Sequence, residues 1–416
     1  MYKRLPLAGI LIPFLSFAQM SSMNGAGMYL MNMASGTSMN PDSWPMPMLM
    51  RGAGTWSLMF MGQAFLVDTQ QSGPRGGDKL YSANAFMFSA SHSFVGGALQ
   101  FQSMISLEPL TVTDRRYPEL FQTGETAYGR PIVDGQHPHN FLMGLGVDYA
   151  HPLGGAMLQF YYAPVGDPAL GPVAFPHRAS ASELPQAPLS HHWQDSTHIS
   201  GNLATVAVQH SWLRLEASGF HGAEPGENRW QIPWGAMDSW AGRLSVTPAS
   251  NWTVQVSAGR ITHPELLSPG DVIRSTASIH YSRPMGAAEA WSSSLIWGRN
   301  HDTGTGRNSN SYLLESVYPF RRRNFLTTRI EYVDKDELFA DTPELEAQLD
   351  RTAGSTFRIG AYTAGYTRDI GTFKTIETGL GANATVYALP AAIKPYYGDR
   401  PWGVSVFLRV RLKPGR

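Results

Sequence analysis

The chain has no cysteine among its 416 residues. Disulfides, thiolate metal sites and thiol nucleophiles are therefore excluded, and any metal ligand must come from His, Asp, Glu or Met. Charge is scarce as well: Asp, Glu, Lys and Arg make up 15% of the chain, against about 25% in an average soluble domain. The 32 basic and 32 acidic residues cancel, so net charge points to no nucleic acid or other strongly charged partner. Past the first residues there is no stretch of the roughly 18 apolar residues a transmembrane helix needs. Yet 43% of the residues are hydrophobic, while the mean hydropathy is −0.21. A β-barrel reconciles the two, because apolar and polar residues cancel along each strand.

What is present begins with an export signal over residues 1–18. Lys3 and Arg4 form its positive end, Leu5 to Phe17 its short apolar core, and Ser16-Phe17-Ala18 a small-x-small cleavage site. Residues 19–51 contain Met20, Met23, Met28, Met31, Met33, Met39, Met46, Met48 and Met50 among Gly, Ser, Asn and Pro. No period persists there, and the reading is a flexible periplasmic arm. Two uses of its thioethers stay open: soft-metal contact and adaptable packing.

From residue 52 to 416 the pattern has period two. Trp402, Val404, Val406, Leu408, Val410 and Leu412 oppose Ser405, Arg409 and Arg411; Phe141, Met143, Leu145, Val147 and Tyr149 oppose Gly144, Gly146, Asp148 and Ala150. Candidate strands fall at 54–67, 82–93, 97–108, 140–151, 155–163, 200–210, 211–221, 239–247, 251–260, 272–282, 288–299, 309–318, 323–333, 356–369, 372–387 and 402–412, sixteen in all. Connections such as Phe94-Val95-Gly96, Pro152-Leu153-Gly154 and Ile370-Gly371 alternate with long ones at 109–139, 164–199, 222–238, 334–355 and 388–401. Short periplasmic turns and long extracellular loops give this asymmetry. The expected fold is all-β: a closed antiparallel transmembrane barrel of about 16 strands, both termini periplasmic. Over residues 52–416 the chain resembles a Gram-negative outer-membrane β-barrel of porin-like size, which implies outer-membrane lipid around it and, for barrels of this size, a homo-oligomer. It departs in its last residues, Leu412-Lys413-Pro414-Gly415-Arg416, where such barrels usually end on an aromatic. Charges at inward parity (Asp148, Arg214, Glu216, Arg243, Arg329, Glu331, Glu377, Arg409, Arg411, with Arg274 beside them) either line a pore or pair across it.

Chemistry concentrates between Asp134 and Asn202. His137-Pro138-His139, His177 and His191-His192-x-x-Asp195-x-x-His198 supply imidazoles and a carboxylate from loops at one mouth. Imidazole suits Cu, Zn, Ni and Fe, so the candidate metal set is His137, His139, His177, His191, His192, Asp195 and His198, with Met46, Met48 and Met50 from the arm. Copper or another divalent metal is the candidate ion. The bland alternative is that these side chains pack a loop folded into the barrel. Methionines in the arm and histidines in the loops together loosely resemble the copper-resistance outer-membrane proteins called the B component, which would imply copper handling. The arm itself, unlike that family's repeats, has no histidine. His198-Ile199-Ser200 faintly resembles the His-x-Ser arrangement of outer-membrane phospholipases, which would imply a surface hydrolase. Glu224-Pro225-Gly226-Glu227-Asn228 reads as turn chemistry, with divalent-cation binding through its oxygen ligands as the alternative. The expected function is non-enzymatic: a channel or binding barrel that passes or captures a small solute or metal ion, its mouth narrowed by loops 109–139 and 164–199.

Overall fold

The computed structural model describes residues 25–266, 270–286, 289–354 and 356–413; the predicted export signal lies outside them. Nineteen strands follow in chain order: β1 Met48–Ala53, β2 Trp56–Gln71, β3 Gly77–Phe94, β4 Gly97–Ile105, β5 Tyr117–Ala127, β6 Arg130–Gln136, β7 Leu142–Leu153, β8 Ala156–Gly166, β9 Ser200–His210, β10 Leu213–His221, β11 Ser239–Ala249, β12 Trp252–Ile261, β13 Val272–Pro284, β14 Ala290–Asp302, β15 Asn308–Phe320, β16 Asn324–Lys335, β17 Phe357–Phe373, β18 Ile376–Ala388 and β19 Trp402–Leu412. All but β1, β5 and β6 form one antiparallel barrel of sixteen strands. It closes where β19 pairs with β2, from Gly403 opposite Gln71 to Arg411 opposite Gln63. The sixteen expected segments are all strands, and the first two run longer than their apolar alternation indicated.

Closure leaves a short defect that the chain itself repairs. β19 stops at Leu412, while β2 continues back to Trp56. The hairpin partner β1 covers that remaining edge, Met48 opposite Met61 and Ala53 opposite Trp56. An uncovered edge would leave backbone donors and acceptors unpaired in lipid.

Alternation sorts the side chains. On β19, Trp402 and Val406 are exposed outward while Ser405, Phe407 and Arg409 are buried inward. Trp252, Tyr281, Trp291 and Tyr318 follow one another around the short-turn rim with ring centroids 4.6, 5.4 and 6.0 Å apart. Such a girdle marks a membrane–water interface. Two-residue turns such as Val95-Gly96, Gly154-Gly155 and Lys374-Thr375 occupy this end, and the long loops gather at the other.

The lumen is filled. Residues 167–199 fold into it and are buried almost throughout. The hairpin β5–β6, within the stretch 109–139 whose sequence reads as a loop, packs there too: Phe121 stacks on Tyr397 at 4.4 Å. The expectation of a free arm is corrected by the course of residues 25–47. A helix, Gly25–Met31, lays Ala26 and Leu30 on Ala98 and Ala150 of the barrel wall. Residues 33–41 are then buried, with Ser35 Oγ donating to Asp167 Oδ2 at 2.7 Å and Asn40 Nδ2 to the His177 carbonyl at 2.9 Å. Gly36 sits at φ 107° against the Tyr161 ring, where any Cβ would lie 2.7 Å from the ring. Only glycine meets both demands.

Candidate metal centre

Charged side chains on the lumen wall hold the plug. Arg178, fully buried, donates from Nε to Glu315 at 2.5 Å and from Nη1 to Asp195 at 2.9 Å. Arg329 adds a bond to Glu315 at 3.0 Å. Arg243 and Arg214 close on Glu216 at 2.8 and 2.9 Å, Glu331 accepts from Ser190, Asp148 from Gln159, and Arg409 and Arg411 grip Glu183 of the plug, with Arg411 also on Glu377. Of the ten charges at inward parity, nine are buried and Arg411 nearly so. Their surroundings are the plug and one another rather than an open water column.

Above this network the histidines meet. Pro138 keeps His137 extended, which carries His139 to Glu108: the backbone N–H and Nδ1 of His139 lie 2.8 and 3.0 Å from Glu108 Oε2. The single helical turn His191–Gln194 places His191 four residues before Asp195, and Nδ1 meets Oδ1 at 2.7 Å. The next turn, Ser196–Ile199, returns His198 Nδ1 to the Asp195 carbonyl at 2.8 Å. Oxygen acceptors assign a proton to Nδ1 in all three rings. Burial lowers the pKa of His191 and His198, so each keeps a lone pair on Nε2, whereas Glu108 overcomes burial and raises that of His139. A carboxylate or carbonyl behind each imidazole is the arrangement that orients metal-binding histidines.

The rings cluster, with centroids 5.5 Å apart for His139–His198, 5.3 Å for His191–His198 and for His191–His192, and 5.9 Å for His137–His192. They line one partly open pocket together with Glu125, Glu224 and Arg229. His137 Nε2 lies 3.2 Å from Glu125 Oε1 but is not aligned for a hydrogen bond. Among the described residues, the Nε2 atoms of His137, His139 and His198 and both ring nitrogens of His192 are buried without hydrogen-bond partners. His192 Nδ1 stands 3.7 Å from Glu224 Oε1 and 3.9 Å from Glu265 Oε1. Those gaps are too wide for hydrogen bonds. Two donors about 2.1 Å from one ion are separated by at most about 4.2 Å, so the gaps fit shared coordination. His192, Glu224 and Glu265 are the described residues whose donor atoms all fall within 4.8 Å of one another.

Electrostatics prepare these groups. Burial, with the nearby His192, holds the His137 imidazole down to about 3, so it stays neutral. Burial opposes ionisation of Glu224, but His192 outweighs it and brings the carboxyl down to about 2. Burial and the charge of Glu224 push Glu265 up to about 7. A cation between these two carboxylates would ionise both, as metal binding requires.

Of the expected ligands, His137, His139, His191, His192, Asp195 and His198 come together here, Asp195 behind the imidazoles rather than among them. His177 is turned toward the wall, its Nε2 2.7 Å from Met104 Sδ. Met46, Met48 and Met50 lie on or before β1 and do not line the chamber. Glu108, Glu125 and Glu265 were missed, because no motif surrounds any of them. The turn reading suits Glu227, which accepts the N–H groups of Tyr128 and Gly129, while Glu224 faces His192. The hydrolase pair is not formed: Ser200 Oγ donates to the Thr197 carbonyl at 2.8 Å.

Solved structures similar to this chain are porins. The anion-selective porin of Comamonas acidovorans superposes with a TM-score of 0.53 at 11% identity, over 86% of this chain and 100% of its own. OmpF of Salmonella typhi, solved with daunomycin, gives 0.54 at 9% identity, over 88% and 100%. No family model matches the sequence, and no curated protein does. The fold is that of a porin: a closed antiparallel barrel of sixteen strands.

Proposed function

We propose that this porin-like barrel resides in the outer membrane of a Gram-negative cell and captures a transition-metal ion inside its plugged lumen. Loops face outward and both termini the periplasm in this reading. The observation that carries it is His192, with both ring nitrogens unpartnered beside Glu224 and Glu265, within a chamber edged by further orphaned imidazole nitrogens. Buried polar atoms are nearly always satisfied, and a cation accounts for these together. Imidazole with carboxylate suits Zn(II), Cu(II) or Ni(II). The plug argues for capture over free diffusion.

Titration calorimetry of the purified mature protein with Zn(II) and Cu(II) tests this. One tightly bound ion is expected, with binding lost in a triple variant carrying His191→Ala, His192→Ala and His198→Ala. Equal binding by both proteins would overturn the reading. A second reading, passage of a small solute, is favoured by a space of about 500 Å³ between the wall and the plug, lined by Gln63, Asn84, Glu108, Tyr117 and Ser182 among others.

A further inference from the structure

The lumen wall carries a row of methionines. Met48 pairs with Met61, Met61 with Met87, and Met87 with Met104, so one rung across β1, β2, β3 and β4 holds four thioethers in register. Directly opposed residues share a face of the sheet, with Cβ atoms about 4.5–5.5 Å apart. That face is the inner one, since Met87 and Met104 are buried. The neighbouring rung is mixed, Met50, Met59, Ser89 and Gln102. A fifth thioether arrives through a bulge: the register shifts where Met104 and Ile105 face Gly144 and Leu142, and Met143 is the extra residue. The alternation in β7 assigns Met143 to the lipid face, but the bulge buries it completely. Bulges commonly re-aim a side chain in this way.

We propose that Met87, Met104 and Met143 form a site for a soft monovalent ion, of the Cu(I) or Ag(I) class, that adjoins the histidine chamber through His198. The three thioethers and His198 line one small space, beside Val165 and Ile199 of the same packed cluster. His198 also lines the histidine chamber, and its buried Nε2 has no partner. His177 Nε2 touches Met104 Sδ from another side. Among the described residues no carboxylate lines the thioether space, in contrast to the chamber with Glu125 and Glu224. Neutral, polarisable ligands select a soft ion of low charge, whereas the chamber suits a divalent one. The inference goes beyond the metal reading of the chamber and stands without it.

The test uses the mature protein in detergent, loaded with one equivalent of Ag(I) and examined by X-ray absorption at the silver edge. A first shell containing sulfur is expected. In a variant carrying Met87→Leu, Met104→Leu and Met143→Leu, volume is nearly conserved, Ag(I) affinity is expected to fall at least tenfold, and Zn(II) binding is expected to hold. Conversely, His192→Ala is expected to leave Ag(I) binding intact while weakening Zn(II). A nitrogen- and oxygen-only shell in the natural protein, or unchanged Ag(I) affinity in the leucine variant, would overturn the proposal. If the leucine variant does not fold, the shell of the natural protein decides alone.

Discussion

Asp195 shows how one residue organises the buried centre. Its carboxylate takes His191, Arg178 and the Phe175 N–H, while its carbonyl takes His198. Burial opposes its charge, but His191 and Arg178 overcome that and hold the carboxyl well below its usual range. Asp195→Asn is therefore expected to lower Zn(II) affinity ~10–100-fold, the usual effect of losing a group behind a metal ligand; calorimetry checks this. Asp167 is the opposite case. Burial pushes its carboxyl up to about 7, from 3.8, although Arg243, Ser35 and Ser38 pull the other way. The folded state binds the extra proton between those values, so its contribution to stability is full below about pH 4 and lost as pH rises toward 7, at up to about 1.4 kcal/mol per pH unit. Asp167→Asn is expected to raise the melting temperature at pH 8 and change it little at pH 4, followed by near-UV circular dichroism. At this scale the histidines were legible, because His137-Pro138-His139 and His191-His192 are dense in sequence. Of their partners, Glu224 stood out only as a turn that could also hold a cation, and Glu108, Glu125 and Glu265 did not stand out, since no motif surrounds them.

At the scale of elements, the strands were readable and the filling of the barrel was not. Period two marks a strand because lipid and lumen impose opposite demands on alternate residues. The plug obeys no period. Residues 167–199 are shaped by short turns and by ion pairs to the wall, such as Arg178 with Glu315 and Arg409 with Glu183. The long loops are legible as able to fold inward, and packing of the Met-rich stretch into the barrel interior was one of its two open readings, but no local pattern singles out residues 33–41. Met143 was misplaced because a bulge leaves no mark in the alternation. Arg178→Ala leaves Glu315 and Asp195 facing a dry space without their shared cation, and breaking such a buried pair costs about 3–5 kcal/mol. The plug is expected to loosen, so conductance in a planar bilayer should rise above that of the natural protein. Replacing residues 174–188 with a short Gly/Ser linker should raise it further. Unchanged conductance in both would show that the plug is not what closes the lumen.

The whole molecule joins a porin's wall to a filled interior. Turn lengths alternate in sequence because the two mouths do different work: one closes hairpins tightly and the other supplies the loops that build the chamber. The natural protein is expected to show little steady conductance, because its inward charges are bound to the plug or to each other. In the proposed function the chamber holds a metal ion. The direct test is an anomalous difference map, recorded at the zinc edge from crystals of the mature protein grown with Zn(II). A peak about 2–2.5 Å from a His192 ring nitrogen and from a carboxylate oxygen of Glu224 or Glu265 is the expected result. Peaks confined to the protein surface, with none among these side chains, would contradict the account.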